Sequence, residues 1–301
     1  MTNSKDGEGR LIRSLLLCTT TFERHVQAAL ASTADAVVLD LETTIAESEK
    51  ASARQAAAGT LAAAAKRPGI FVRINQIDSP HILDDLLALQ TPSLRGVMLP
   101  QAEDSGQIIA LDWVLSRLEQ RYSRNGPPVE ILPLVESAKG VENLTSVLSA
   151  SKRIKRATFG IADYSLDTGL QPGRDEAELS YIRDRLVHGS RACGLSAPID
   201  TVWLDLNDTD GLQASLKRAK GRGFAGKLCI HPKQVEACNR GFTPSAEDVA
   251  TARKIIAAFE EAMANNVAAI RVDGRLVDLP IVRHAERIVA LAEQFAGKTR
   301  V

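Results

Sequence analysis

Nowhere in the 301 residues is there a run of the roughly 18 uncharged apolar residues that a membrane-crossing helix needs. Net charge is missing as well. The 37 Lys and Arg balance the 37 Asp and Glu, so nothing global draws the chain to nucleic acid or to an anionic membrane. Cysteine is scarce: Cys18, Cys193, Cys229 and Cys238 form no C-x-x-C pair, and Cys18 and Cys229 fall inside apolar runs. That favours buried, reduced thiols over a disulfide or a zinc site. The histidines show no H-E-x-x-H spacing. Met1–Arg10 is polar, without the apolar core of a secretory signal. Together these absences predict a cytoplasmic, soluble protein with neither a nucleic-acid nor a membrane partner.

What is present is a strict alternation. Short apolar runs lie at Leu11–Cys18, Ala36–Glu42, Ile70–Asn75, Gly96–Pro100, Val129–Glu136, Arg156–Asp163, Ile199–Asp205 and Gly226–His231. Their β-branched, near-continuous apolarity suits strands buried on both faces. Helical patterns fill most of the gaps, most clearly at Thr21–Ser32, Glu47–Lys66, Ala102–Tyr122, Val141–Ser151, Glu176–Cys193 and Leu212–Arg222. Eight strand–helix units predict an α/β fold, a closed (β/α)8 TIM barrel. Beyond it, Ser245 caps a helix running to about Asn266, Asp273-Gly274 marks a hairpin between Ala269–Val272 and Arg275–Val277, and Pro280 opens a last helix. The expected organisation is a barrel over 1–244 and a C-terminal helical hairpin extension over 245–301, packed on the barrel or on a neighbouring subunit.

In such a barrel, chemistry belongs at the C-terminal strand ends. The runs end in Asp40-Leu41-Glu42, Arg73-Ile74-Asn75, Glu136, Asp163, Asp205 and His231-Pro232. Glu136 and Asp163 close adjacent runs, and facing carboxylates repel unless a cation or a proton sits between them. Hard oxygen ligands without nearby Cys or His point to Mg2+, with Mn2+ as the alternative ion. The competing reading has each carboxylate cap a helix or pair with a lysine. Arg73 could clamp a substrate carboxylate or an enolate oxygen, or simply pair with Asp40 or Glu42. Gly221–Lys227 fits G-x-x-x-x-G-K, but Leu228 and a strand follow where a phosphate loop needs Ser or Thr and a helix. His231, before Pro232, reads as a structural hydrogen-bonder.

These strand ends resemble the citrate lyase β-subunit-like proteins of the HpcH/HpaI aldolase superfamily, from about Arg13 to about Ala285. The resemblance runs through Arg13-Ser14, Leu39-Asp40-Leu41-Glu42, Lys50…Arg54, Val72-Arg73-Ile74-Asn75, Glu136 with Gly140-Val141, and Phe159-Gly160…Asp163…Asp167…Gly169. It ends with Gly226-Lys227, Ile230-His231-Pro232 and Gly274…Asp278. It implies a homotrimer, a divalent metal on Glu136 and Asp163, and a substrate-binding Arg73. It also implies aldol- or Claisen-type C–C cleavage or condensation of organic acids, often as thioesters of coenzyme A such as malyl-, citramalyl- or citryl-CoA. Glu136 then borders both metal and substrate, Glu42 orients Arg73 or a metal-bound water, and Asp278, reaching a neighbouring subunit's site, moves the proton. Departures fall at Thr43, where the family has an acid, and at Gln101, where a lysine is common. A thioester hydrolase and a non-catalytic binding homologue are the alternative expectations.

Overall fold

The computed structural model describes residues 11–64 and 69–296. Met1–Arg10 and the end of the Glu47–Lys66 helix expectation therefore lie outside the described residues. The chain divides into two compact units at Arg240/Gly241.

In the first unit, eight parallel strands form one sheet: β1 (Ser14–Thr19), β2 (Ala36–Asp40), β3 (Ile70–Arg73), β4 (Leu94–Leu99), β5 (Glu130–Val135), β6 (Thr158–Phe159), β7 (Ile199–Asp200) and β8 (Gly226–Cys229). The ladder runs β6-β5-β4-β3-β2-β1-β8-β7. Its two ends meet: the Ile199 N–H donates to the Ala157 carbonyl and the Ser196 N–H to the Lys155 carbonyl, both at 3.0 Å. This join closes the TIM barrel.

The outer helices are α1 (Glu23–Ala31), α2 (Lys50–Ala63), α3 (Ile82–Ala88), α4 (Ser105–Arg121), α5 (Ala138–Glu142), α6 (Leu144–Ser149), α7 (Ile161–Thr168), α8 (Ser180–Ala192), α9 (Thr209–Arg222) and α10 (Pro232–Phe242). The second unit holds α11 (Ala246–Ala264), a hairpin of β9 (Ile270–Val272) and β10 (Arg275–Val277), and α12 (Leu279–Ala296). Ser245 caps α11 in a reciprocal box with Asp248. Asp273 and Gly274 take φ of 50° and 79°, the pair of left-handed residues a tight hairpin turn requires.

Two expected strands are shorter than their apolar runs. The run ending at Asp163 is a two-residue strand, after which Gly160 turns the chain into α7. Asp163 thus lies in the first turn of a helix, not at a strand end. The run to Asp205 leaves the sheet after Asp200.

Strand parity decides what enters the barrel. Side chains alternate faces along a strand. The interior cluster takes Ala36 and Val38 from β2, Phe71 from β3, and Leu132 and Leu134 from β5. The next positions of the same parity are Asp40, Arg73 and Glu136. The apolar filling therefore gives way to charge at one level, the C-terminal end of the barrel.

Candidate active site

Arg73 is the centre of that charged layer. Its Nε and Nη2 donate to Asp40 Oδ1 and Oδ2, each at 2.6 Å, and its Nη1 lies 3.4 Å from Glu42 Oε2. Asp40 is fully buried and Arg73 only 7% exposed. Burial opposes ionisation of Asp40, yet the Arg73 hydrogen bonds and charge hold its carboxyl below the usual range. A two-pronged guanidinium–carboxylate pair fixes the plane of the arginine. Asp40 also accepts from the Glu42 and Thr44 N–H groups and the Thr44 hydroxyl, at 3.0, 3.2 and 2.7 Å. It therefore shapes the loop that carries Glu42.

Lys50 pins the same loop from outside. Its Nζ donates to the Leu41 and Glu42 carbonyls at 2.9 and 2.8 Å and to Asn75 Oδ1 at 2.7 Å. Asn75 in turn donates to Asp85 at 2.7 Å, and Asp85 accepts from Arg54 Nε at 2.9 Å. The Lys50…Arg54 spacing is thus one helix turn that braces the ends of β2 and β3.

Glu136 follows β5 and is 4% exposed. It neither caps α5, a role Ser137 takes, nor pairs with a lysine. Its one hydrogen bond among the described residues comes from the Gln101 N–H, at 3.1 Å. Gln101 has φ 48°, the left-handed region that costs a non-glycine residue about 1–2 kcal/mol. That cost is spent on aiming its N–H at Glu136. Burial, reinforced by the Asp163 charge, pushes the Glu136 carboxyl up to about 8, against the pull of the Gln101 N–H and of Arg73.

Asp163 reaches Glu136 from α7. The helix starts where it does because the Thr201 hydroxyl, beyond β7, accepts the Ile161 N–H at 3.1 Å. Asp167, one turn on, accepts the Ala138 N–H at 2.7 Å and ties α7 to the loop after Glu136. Gly160 completes the arrangement, because a Cβ there would collide with the Glu136 carboxylate.

Glu136 therefore stands within electrostatic reach of Glu42, Arg73 and Asp163. Asp278 lies in the second unit, at the N-terminus of α12, where its carboxylate takes a long bond of 3.4 Å from the Ile281 N–H. His231 Nδ1 accepts the Lys233 N–H at 3.1 Å, a structural role at the start of α10. Lys227, from the phosphate-loop lookalike, is buried on Asp200 at 2.6 Å.

Only one arginine faces several carboxylates here, and Arg73 is already committed to Asp40. Among the described residues, no lysine or arginine forms an ion pair with Glu136 or Asp163. They are oxygen donors, Glu136 is buried with a single hydrogen bond, and Asp163 has none to a described residue. This donor set fits a small hard divalent cation, which asks for only one or two carboxylates and fills its other positions with water or substrate oxygen. Among the described residues, no three or more His, Cys, Asp or Glu are placed to hold a metal ion together.

The barrel is thus closed, with a carboxylate pair and a clamped arginine at its C-terminal mouth. The chain belongs to the HpcH/HpaI aldolase/citrate lyase family, whose signature it matches over residues 13–232. It is 30% identical over 284 residues to the citrate lyase subunit beta of Leuconostoc mesenteroides subsp. cremoris, covering 94% of each chain. It is 33% identical over 289 residues to an L-malyl-CoA/beta-methylmalyl-CoA lyase of Cereibacter sphaeroides, covering 89% of this chain and 90% of that one. The structure of the protein CitE from Mycobacterium tuberculosis in complex with magnesium, acetoacetate and coenzyme A is similar, with a TM-score of 0.75 and 29% identity over 93% of this chain and 97% of that one.

Proposed function

We propose that this protein is a Mg2+-dependent carbon–carbon lyase acting on a hydroxyacyl thioester of coenzyme A, of the malyl, citramalyl or citryl kind. The observation that carries the reading is the pairing of Glu136 with Asp163 beside an arginine held rigid by Asp40. The lyase class is supported by relatives named as lyases across nearly their whole length. Magnesium and coenzyme A are supported by the donor set and by the ligands of the similar protein from M. tuberculosis.

Glu136 and Asp163 would hold the metal, and a bound Mg2+ supplies Lewis-acid polarisation of a substrate carbonyl. The chain's own residues do the rest. Arg73 presents the face that Asp40 does not occupy to the carboxylate or enolate oxygen, and its fixed plane means no reorganisation is needed as charge develops. Glu42, beside Arg73 Nη1, orients the guanidinium. Cleaving a 3-hydroxyacyl thioester also needs a group that removes the hydroxyl proton and returns one to the enolate carbon. Asp278 is assigned that role, reaching the site of a neighbouring subunit in a homotrimer to which the helical extension contributes.

The test is an assay of the purified protein on malyl-, citramalyl- and citryl-CoA, with Mg2+ and with EDTA. Release of a 2-oxo acid together with an acyl-CoA, abolished by EDTA, is the expected result. Free CoA thiol without a 2-oxo acid would replace the lyase with a hydrolase.

A further inference from the structure

Two loops meet beside Glu136: the one after β4, over residues 100–104, and the turn from β5 into α5. At the barrel mouth the first loop gives its Gln101 N–H to Glu136. One residue on, the Ala102 N–H donates to the Leu134 carbonyl at 3.1 Å. Ala102 is fully buried. A Cβ on Gly140 would stand 2.8 Å from its carbonyl, so glycine is what lets α5 come this close.

Glu103 closes the same contact from outside. Its Oε1 accepts the Ser137 hydroxyl at 2.6 Å, its Oε2 accepts Lys139 Nζ at 3.0 Å, and its backbone carbonyl accepts Asn143 Nδ2 at 2.9 Å. The two side-chain bonds are unequal. Lys139 is 59% exposed, and an ion pair in that setting contributes little. Ser137 is buried, and a hydroxyl given to a carboxylate at this distance is a strong, directional bond. The Ser137 oxygen also accepts the Gly140 N–H at 3.1 Å, which leaves its single proton for Glu103. That hydroxyl, and Lys139 after it, hold the Glu103 carboxyl below its usual range although burial opposes them.

Ser137 directly follows Glu136, and Glu103 stands two residues after Gln101. The two bonds therefore run between the same two loops, one at the mouth and one behind it. The left-handed backbone of Gln101 is strained, and such strain persists only where the surroundings over-determine it. Ala102 and Glu103 supply that restraint on its C-terminal side. We propose that Glu103 is a positioning residue for the Glu136–Asp163 pair: by accepting the Ser137 hydroxyl it keeps the loop after β4 closed on α5 and the Gln101 N–H aimed at Glu136. Its own carboxylate is spent on α5, so it acts on the metal pair only through Gln101. The inference rests on the reading of Glu136 as a ligand of a divalent cation, and it extends that reading to a residue behind the mouth.

Three substitutions separate the bond from the charge. Glu103→Ala removes both. Glu103→Gln removes the charge and keeps an oxygen for the Ser137 hydroxyl. Lys139→Ala removes only the exposed pair. Hydrogen exchange of the metal-free protein, resolved to single amides, reads the Gln101 N–H directly. It should exchange about tenfold faster or more in Glu103→Ala, the loss expected for one charge-assisted hydrogen bond, while amides of β2 and β3 keep their rates. Glu103→Gln and Lys139→Ala should stay close to the unsubstituted protein. Mg2+ affinity by calorimetry should follow the same order, roughly 10–100-fold weaker in Glu103→Ala and restored in Glu103→Gln. A Gln101 rate unmoved in Glu103→Ala overturns the proposal. So does a rise shared by β2 and β3, which makes Glu103 a general stabiliser. So does a glutamine variant as impaired as the alanine one, which makes the charge, not the bond, the agent. Failure of the unsubstituted protein to take up Mg2+ removes the metal reading instead, and the exchange rates still decide whether Glu103 holds Gln101 in place.

Discussion

Two clusters of buried charge sit in this barrel, and they are built to opposite rules. Between the sheet and the helices, Asp200 receives Arg183 Nε at 2.9 Å and Lys227 Nζ at 2.6 Å, and Glu176 lies 3.1 Å from the same arginine. Two buried acids meet two buried bases, and the less buried Arg218 adds a further pairing to Glu176 at 3.0 Å. Although burial opposes ionisation, the Lys227 and Arg183 charges hold the Asp200 and Glu176 carboxyls below their usual range. At the barrel mouth, Asp40, Glu42, Glu136 and Asp163 share one arginine, and the Glu136 carboxyl is pushed up to about 8. A balanced cluster is scaffold. A cluster short of one cation marks where a ligand must complete it.

The contrast can be broken most directly by removing one member from each cluster. Glu136→Gln should lower Mg2+-dependent turnover on the order of 10²–10³-fold, with no loss in the urea midpoint. Lys227→Met should do the reverse, costing about 3–5 kcal/mol of stability by stranding buried charge, while Mg2+ affinity measured by calorimetry holds.

Next in size is an opposite response to pH. The Asp200 carboxyl is depressed in the fold from 3.8, so its contribution is complete above that value and is lost as pH falls below it. The Glu136 carboxyl is raised from 4.5 to about 8. Between those values the native state holds a proton that the unfolded chain does not, so Glu136 makes metal-free stability fall as pH rises. Urea midpoints should show this slope, and Glu136→Gln should flatten it. For the same reason, Mg2+ uptake at pH 7 should release close to one proton, read from calorimetry in buffers of different ionisation heat.

Gly160→Ala should sharpen the contrast by moving the Glu136 carboxylate without changing any charge. Mg2+ affinity should drop roughly 10–100-fold, and the scaffold cluster should not register it. The smallest effect belongs to Gln101→Gly. Relieving the left-handed φ of 48° offers about 1–2 kcal/mol, against which the added freedom of the unfolded glycine takes back about 0.5–1 kcal/mol. Thermal unfolding should show a small net gain, with Mg2+ affinity reduced as the Gln101 N–H loses its aim.

Much of this was legible in sequence because strands buried on both faces must be apolar throughout, so Ala36–Glu42 and Ile70–Asn75 stand out as apolar runs that meet charge, at Asp40 and Arg73, near their ends. The same rule misled at Arg156–Asp163. Apolarity continues past Phe159, but Ile161, Tyr164 and Thr168 recur with helical spacing and Gly169 closes them in a left-handed C-cap, a signal that argues for helix. α10 is not among the helical patterns picked out in the sequence, although Pro232 opens it and proline suits a first helical position. The Gln101 N–H on Glu136 was hidden for a different reason. It is a backbone contact set by φ, and no side chain announces it. Lys50 stood in the motif without a visible task, since its partners at Leu41 and Glu42 are carbonyls.

The barrel is joined between its two shortest strands, β6 and β7, of two residues each. Amides along that seam should exchange with deuterium sooner than those of β2 or β3, because fewer ladder bonds must open together. Asp163 and the Thr201 hydroxyl that starts its helix both lie on the seam. Half of the proposed metal-binding pair is therefore mounted on the part of the hoop expected to yield first, while Glu136 and Arg73 sit on the part that holds. Loop exchange aimed at a new acid substrate would be best grafted there, where the least of the barrel has to be rebuilt.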